Sequence, residues 1–152
     1  MSDGDPIDLV ELSFEPFPIG AVCNVRVLGA IGLVDQGECD WKVLCIRLDE
    51  PQASQPAPVA SDATADSLLE QHTAKLNHHT LHTVDDVPPE IIQRVIEWYR
   101  DYKTIEGKPS NSYVPNTEEP ARGFVFSKDQ TARILAHAHQ DWCGRQREPI
   151  QQ

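Results

Sequence analysis

Two short segments of the chain concentrate carboxylates beside turn-forming residues. The first is Asp3-Gly-Asp-Pro-Ile-Asp8, and the second is Asp35-Gln-Gly-Glu-Cys-Asp-Trp-Lys42. Carboxylate oxygens are the ligands that hard divalent cations prefer, and Mg²⁺ usually keeps several waters together with substrate phosphates. The residue types therefore indicate a candidate metal site, formed if the two segments meet in the fold.

The negative charge of such a cluster determines whether its carboxylates can all stay ionised. If five aspartates converge, only one neighbouring cation, Lys42, offsets their negative charges, and mutual repulsion would raise some of their pKa values. Convergence of the five therefore implies bound cations. The five are Asp3, Asp5, Asp8, Asp35 and Asp40.

A simpler alternative applies to the first segment, because Asp-Gly-Asp-Pro is favourable turn chemistry and such turns are often only solvated. An EF-hand is excluded. With Asp3 as position 1, the glycine position is Asp8 and the final glutamate position is Phe14. Composition alone does not decide between a solvated turn and a metal site for this segment.

The overall composition narrows the class of protein. The 152 residues include 13 Lys and Arg against 24 Asp and Glu, a net charge of −11, which argues against a nucleic-acid or anionic-membrane partner. No apolar run is long enough to span a membrane, and the acidic start lacks the order of a secretory signal. Four cysteines without a CxxC pair favour reduced thiols. We expect a single domain in the cytoplasm, with organellar import left open.

The elements that would position the acidic segments are mainly strands. A short strand opens with Ile7, Leu9 and Leu12, and β-branched or apolar runs at 21–28, 31–34 and 41–48 predict three more. Short strands separated by turns favour a small antiparallel barrel or sandwich.

Residues 51–83 differ from the strands in composition. They contain three prolines and no aromatic residue, so we predict a flexible, exposed insertion. His78, His79 and His82, which could resemble a metal-binding tract, fall in this stretch without paired cysteines, and we do not interpret them as a zinc site.

The last third of the chain predicts two helices. Pro88-Pro89-Glu90 is a helix start, followed by an apolar face that ends near Lys103. The residues of this face are Ile92, Val95, Ile96 and Tyr99.

The second predicted helix begins at Ser127, which forms a capping box with Gln130. Its expected buried stripe comprises Leu135, Ala138 and Trp142, and residues 144–152 are expected to be a frayed tail. The three tryptophans, Trp41, Trp98 and Trp142, are interpreted as core or domain-edge packing.

Taken together, several blocks of the sequence resemble the soluble inorganic pyrophosphatases of family I, in their eukaryotic form. The similarity runs from Asp3 to about Leu48 and resumes from about Asp85 to Trp142. The blocks are the first acidic segment, Val27-Leu-Gly, the stretch 33–44, Tyr102-Lys103, Gly107-Lys-Pro and His139-Gln-Asp-Trp142.

The resemblance implies an α+β, mainly β fold, in which C-terminal helices pack on an OB-like antiparallel β-barrel. It also implies hydrolysis of inorganic diphosphate to two phosphates with Mg²⁺, for which Mn²⁺ is an expected substitute. A homodimer is left open.

The roles of individual residues follow from the same resemblance. Asp3, Asp8 and Asp40 correspond to ligands of the tighter metal pair, and Asp35, with Asp40, corresponds to a ligand of a metal that arrives with substrate. Asp5 corresponds to the general base. The groups that hold the phosphates correspond to Lys42, Tyr102 and Lys103.

The chain also departs from the family pattern. Gln36 and Cys39 replace a usual Glu and Thr, neither at a ligand position, and negative charge near Cys39 should raise its pKa. The family has a long region before the Asp-x-Asp-Pro motif, which here begins at residue 3. We therefore expect one N-terminally truncated domain with an incomplete barrel. The alternative function is an impaired pseudoenzyme or fragment that retains metal binding or pairs with a full-length subunit.

Overall fold

A five-stranded sheet and two α-helices form the part of the chain that the structure, a computed structural model, describes: residues 6–13, 18–35, 37–48 and 79–146. Three short 3₁₀ turns accompany them at Val84–Asp86, Thr104–Glu106 and Pro120–Arg122. In chain order the main elements are β1 (Asp8–Glu11), β2 (Val25–Asp35), β3 (Glu38–Arg47), α1 (Pro89–Asp101), β4 (Ser112–Tyr113), β5 (Val125–Phe126) and α2 (Lys128–Gln146).

The sheet is built around the antiparallel pair β2 and β3. Their register runs from Val25 opposite Arg47 to Asp35 opposite Glu38, and Gly37, with a φ of 88°, closes the connection between them. On the far side of β3, strand β1 pairs in parallel. On the far side of β2, both β4 and β5 pair antiparallel. Among the described residues this is an open, mixed sheet.

The predicted fold class, mainly β with helices packed on an incomplete barrel-like sheet, is confirmed. Two details differ. The parallel pairing of β1 was not predicted, and the separate strands expected at 21–28 and 31–34 are one strand, β2. Within this strand, Gly29 and Gly32 are places where other elements approach the backbone closely.

The core lies between the sheet and α1. The apolar face predicted for this helix is confirmed: Ile92 is buried, and Val95 and Ile96 pack against the same cluster. The helix begins at Pro89, where a proline lacks only an N–H that would be unpaired anyway, and it ends at Asp101, two residues before the expected Lys103. The buried members of the cluster are Leu12, Leu28, Ile31, Leu44, Ile46, Leu81, Val84, Val87 and Ile92.

The start of α2 is held by a buried amide network. The predicted capping box is present, because the backbone N–H of Ser127 donates to Gln130 Oε1 at 2.8 Å and the backbone N–H of Gln130 donates to Ser127 Oγ. The side chains of Gln130 and Asn116 also exchange two hydrogen bonds of 3.0 Å. Since both amides are buried, this pairing satisfies groups that would otherwise cost free energy.

The end of α2 differs from the prediction. Leu135 and Ala138 are half-buried as expected, but Trp142 is 56% exposed, so its place in a buried stripe is wrong. The helix packs on β2 and then runs on to Gln146, through the start of the segment expected to be a frayed tail. Residues 140–144, which include Trp142, are mostly exposed.

Several predictions fall outside the described residues. These include residues 51–78 of the expected insertion, residues 147–152 of the expected tail, and Asp3 and Asp5. No helix in the described part of the chain combines the length and the hydropathy needed to cross a membrane.

The close packing of Gly29 generates the first prediction. A Cβ atom there would lie 2.6 Å from the carbonyl oxygen of Phe126 and 3.0 Å from Val84 Cβ. We expect Gly29→Ala to lower the free energy of unfolding by about 1–3 kcal/mol, the usual cost of overpacking, as measured by urea denaturation.

The matched control is Gly144→Ala in α2, where a Cβ meets nothing within 4 Å. Because alanine has the higher helix propensity, this control should be neutral or stabilising by up to about 1 kcal/mol. A similar loss in both variants would contradict the packing argument.

Arg122 generates the second prediction. Its guanidinium donates to Asp85 Oδ1 at 2.5 Å and Oδ2 at 2.9 Å, and to Glu119 Oε2 at 2.5 Å. These hydrogen bonds lower the pKa values of both carboxyl groups. Their stabilising effect is therefore complete above the ordinary carboxyl range, about pH 4, and is lost as the pH falls through the lowered values.

We expect Arg122→Gln to make the free energy of unfolding less dependent on pH in this acid range, as measured by urea denaturation at a series of pH values. Arg133→Gln is the control, because Arg133 makes one contact of 2.5 Å with Glu118 and both side chains are exposed. If the free energy of unfolding of Arg122→Gln depended on pH as it does in the parent, the stabilising role of the Arg122 ion pairs would be refuted.

Candidate functional site

Three of the predicted site residues lie on one face of the sheet. In the parallel register of β1 and β3, Asp8 lies opposite Lys42, and Asp40 precedes Lys42 by two residues on β3. Because side chains alternate along a strand, these three share a face. The ammonium of Lys42 lies 2.5 Å from Asp8 Oδ2 and 2.7 Å from Asp40 Oδ2.

Lys42 is a buried cation between two more accessible carboxylates. Its side chain is 4% exposed, whereas that of Asp8 is 62% exposed, and its ammonium lies 5.3 Å from the ring centroid of Tyr99. Burial would lower the pKa of Lys42, but hydrogen bonds to Asp40 and Asp8 outweigh this and raise it above its ordinary value. Lys42 is therefore charged at neutral pH.

A second ion pair lies at the end of the β2–β3 hairpin. Lys103, two residues after α1, pairs with Asp35, the last residue of β2, and both side chains are largely buried. This hydrogen bond raises the pKa of Lys103. The Lys103 ammonium also lies 5.3 Å from the ring centroid of Tyr102. The structure thus brings Asp35, Tyr102 and Lys103 together as a second group.

The two groups lie on the same face of the hairpin. Lys42 is opposite Ile31 and Asp40 is opposite Leu33. Since Asp35 follows Leu33 by two residues, it points to the same side as they do. The carboxylates of Asp8, Asp35 and Asp40 therefore lie on one face of the sheet, which we call the shared acidic face. They are paired there with the ammonium groups of Lys42 and Lys103. Of the eight predicted site residues, Asp3 and Asp5 lie outside the described residues.

An aromatic cluster at the end of α1 lines these groups. Trp98 stacks on Tyr102 with ring centroids 5.0 Å apart, and Tyr99 meets both rings edge to face. Burial raises the pKa of Tyr99, so its hydroxyl is protonated at neutral pH. The sequence placed Tyr99 only on the apolar face of a helix. Its contact with Lys42 was missed, and its position seven residues after Ile92 was the only available signal.

The donor chemistry of this face fits a hard cation. Asp8 and Asp40 offer carboxylate oxygens, the ligand type that Mg²⁺ prefers, and both already contact one cation, the ammonium of Lys42. Among the described residues, no three His, Cys, Asp or Glu side chains are grouped so that they could hold a metal ion. The described carboxylates are balanced by lysines instead.

The remaining polar residues near the site have simpler roles. Glu38 and Cys39 are exposed at the start of β3, and local desolvation together with the carboxylate of Asp40 raises the pKa of the Cys39 thiol. This agrees with the expectation of a poor nucleophile. His79 and His82 are exposed.

Comparison with known proteins agrees with this fold. A family model described as inorganic pyrophosphatase matches residues 1–79, which include Asp8, Asp35, Asp40 and Lys42. The chain belongs to the inorganic pyrophosphatase family.

Individual relatives match most of the chain. It is 31% identical to the inorganic pyrophosphatase of Drosophila melanogaster over 92% of its own length and 33% of that protein. The inorganic pyrophosphatase of Schistosoma japonicum superimposes with a TM-score of 0.67 at 30% identity, covering 92% of this chain and 40% of that one. An N-terminally truncated vacuolar soluble pyrophosphatase of Trypanosoma cruzi, in complex with PPi, gives a TM-score of 0.65 at 27% identity, covering 95% and 44%. The chain thus spans between 33% and 44% of the length of these relatives.

The buried ammonium generates the third prediction. Lys42→Met keeps the unbranched stem but leaves Asp8 and Asp40 facing each other without their shared cation. We expect the free energy of unfolding at pH 7 to fall by about 1–3 kcal/mol, and added MgCl₂ to restore more stability to this variant than to the parent. Urea denaturation with and without MgCl₂ measures both effects.

Lys108→Met is the matched control, because Lys108 is half-exposed and contacts Glu106 at 3.0 Å. An exposed pair of this kind contributes about 0–1 kcal/mol. If the two variants lost the same stability and responded alike to MgCl₂, the shared ammonium would have no special role.

Proposed function

We propose that the protein hydrolyses inorganic diphosphate to two phosphates with Mg²⁺, for which Mn²⁺ can substitute. The observation that carries the proposal is the face on which the buried ammonium of Lys42 contacts both Asp8 and Asp40, in a chain of the inorganic pyrophosphatase family. The PPi complex of the Trypanosoma cruzi relative supports the choice of substrate.

The metal ligands in this proposal are the carboxylates of the shared face together with one outside the described residues. Asp8 and Asp40 would hold the tighter metal pair with Asp3, and Asp35 with Asp40 would hold a metal that accompanies the substrate. Mg²⁺ held there would supply Lewis-acid chemistry, which lowers the pKa of water and neutralises charge on phosphate oxygens. The solvent exposure of Asp8 supports access for a hydrated ion.

Lys42 has two roles that follow from its position. Without a metal it is the counter-charge for Asp8 and Asp40. When those carboxylates engage Mg²⁺ instead, the N–H donors of Lys42 become available to a phosphate oxygen, while the ring of Tyr99 stays beside the ammonium. Burial strengthens such a charge–charge contact because little water screens it.

The second group, at the end of the β2–β3 hairpin, acts on the same diphosphate. Lys103 and Tyr102 supply an ammonium and a phenol at the end of the hairpin, where they donate hydrogen bonds to the leaving phosphate. Donors that are already in place stabilise developing charge without reorganisation. Asp5 accepts the proton of the attacking water at its carboxylate and acts as the general base.

The same ion pairs favour a second candidate function. Each described carboxylate of the site already has a lysine partner, which is a stable arrangement without turnover. In that case the chain is a catalytically impaired member of the family that keeps metal binding or pairs with a full-length subunit.

The fourth prediction separates these functions. Phosphate release from diphosphate by the 152-residue chain should require MgCl₂, and Asp40→Asn should lower the rate by about 10²-fold or more, comparable with the loss of one charge-stabilising group. Asp5→Asn should lower kcat while Mg²⁺ binding, measured by calorimetry, is retained. Glu38→Gln, an exposed change on the same strand, is the matched control and should keep the parent rate.

The outcomes are distinct. Mg²⁺ binding that depends on Asp40, in a chain with no measurable turnover, would select the impaired alternative. Phosphate release that persists in Asp40→Asn at the rate of the Glu38→Gln control would rule out the proposed site.

A further inference from the structure

The last turns of α2 place an imidazole and a thiol side by side, and neither residue belongs to the proposed diphosphate site. His139 and Cys143 are four residues apart on the helix, so their side chains lie above one another, and His139 Nε2 is 3.5 Å from Cys143 Sγ. His139 is exposed and Cys143 is half-buried, with its thiol free.

This separation matches the bite of a tetrahedral zinc ion. With bond lengths of about 2.0–2.1 Å to nitrogen and about 2.3 Å to sulfur at a tetrahedral angle, the two ligand atoms lie about 3.5 Å apart. We propose that His139 Nε2 and Cys143 Sγ chelate a borderline divalent cation, of which Zn²⁺ is the type, with water completing the coordination. The site is separate from the proposed diphosphate site and does not depend on it.

The surroundings of the pair favour a cation. Cys143 lies in the last turn of a helix that ends at Gln146, where the negative end of the helix dipole stabilises positive charge. The ring of Trp142 stacks on His139 with centroids 5.8 Å apart and restricts the orientation of the imidazole.

The proton balance of binding is defined. The S–H bond of Cys143 breaks, its proton passes to the solvent, and the sulfur forms a bond to the metal as a thiolate. His139 binds as the neutral imidazole, with its remaining proton on Nδ1. Each bound ion therefore releases at least one proton and removes the thiolate from reaction with alkylating agents.

The same helix contains a pair of identical spacing without sulfur. His137 Nδ1 is 3.4 Å from Asp141 Oδ2, and both side chains are exposed. A carboxylate is a harder donor than a thiolate and is less selective for zinc. His137→Gln is therefore a matched control for His139→Gln.

The fifth prediction is measured by iodoacetamide labelling, with the modified cysteines identified by mass spectrometry. Added ZnCl₂ should slow alkylation of Cys143 in the parent chain and in His137→Gln, and MgCl₂ should not. In His139→Gln the Zn²⁺ concentration needed for the same protection should rise by about 10–100-fold or more, because changing even the hydrogen-bond partner of a metal ligand commonly lowers metal affinity by that factor. The half-buried free thiol of Cys23, which belongs to neither proposed site, reports nonspecific binding in the same samples.

A second readout does not depend on the labelling chemistry. Co²⁺ should give a thiolate-to-metal charge-transfer absorption in the parent and in His137→Gln, but not in Cys143→Ser. Zinc protection that is absent in the parent, or equal in the parent and His139→Gln, would overturn the two-ligand site. Because the labelling readout is confined to Cys143, zinc bound at the aspartates does not change it. A negative result for this zinc site is therefore independent of the result of the diphosphatase assay.

Discussion

The antiparallel pairing of β2 with β3 is the interaction on which the rest of the structure depends. It continues along both strands to the hairpin that Gly37 closes. A shift of one residue in this register would turn every side chain of one strand to the opposite face. Leu44 would then leave the core, and Asp40 and Lys42 would leave the face that Asp8 shares. The same register thus positions the apolar core and the charged site.

Burial of Lys42 is the second constraint, and it links charge to fold. An ammonium removed from water is costly unless it is paired, and Asp8 and Asp40 supply the pairs from two strands that are distant in sequence. The parallel contact between β1 and β3 is therefore electrostatic as well as backbone-mediated. A face that satisfies a buried cation with two carboxylates already has the charge and oxygen donors that a hard divalent ion requires.

The sequence predicted what depends on local pattern. The apolar spacing of α1 and the capping box at Ser127 are properties of short segments, and both are confirmed. The predicted order of strands before helices holds for β1 to β3, whereas the two-residue strands β4 and β5 lie between the helices. What the sequence could not predict depends on contacts between distant segments. The parallel pairing of β1, the continuity of β2 through Gly29 and the exposure of Trp142 each require knowledge of which element packs where.

The site shows the same limit at the level of single residues. Family resemblance singled out Asp8, Asp35, Asp40, Lys42, Tyr102 and Lys103, but it did not indicate how they pair. The ammonium of Lys42 lies between two aspartates rather than apart from them. The contact of Tyr99 with Lys42 follows from the rotation of α1 on the sheet, which no residue pattern specifies.

The position of α1 therefore determines the site from a distance. Its apolar face packs on the core through Ile92, and Tyr113 of β4 donates a hydrogen bond to the carbonyl of Ile96. These contacts fix the end of the helix, where Tyr99 lies against Lys42 and Lys103 reaches Asp35. A change in the packing of Ile92 would therefore shift Tyr99 against the ammonium of Lys42 and move the ammonium of Lys103 relative to Asp35. Interiors are close-packed and transmit such displacements, so the electrostatics of the site are a consequence of the packing of the core.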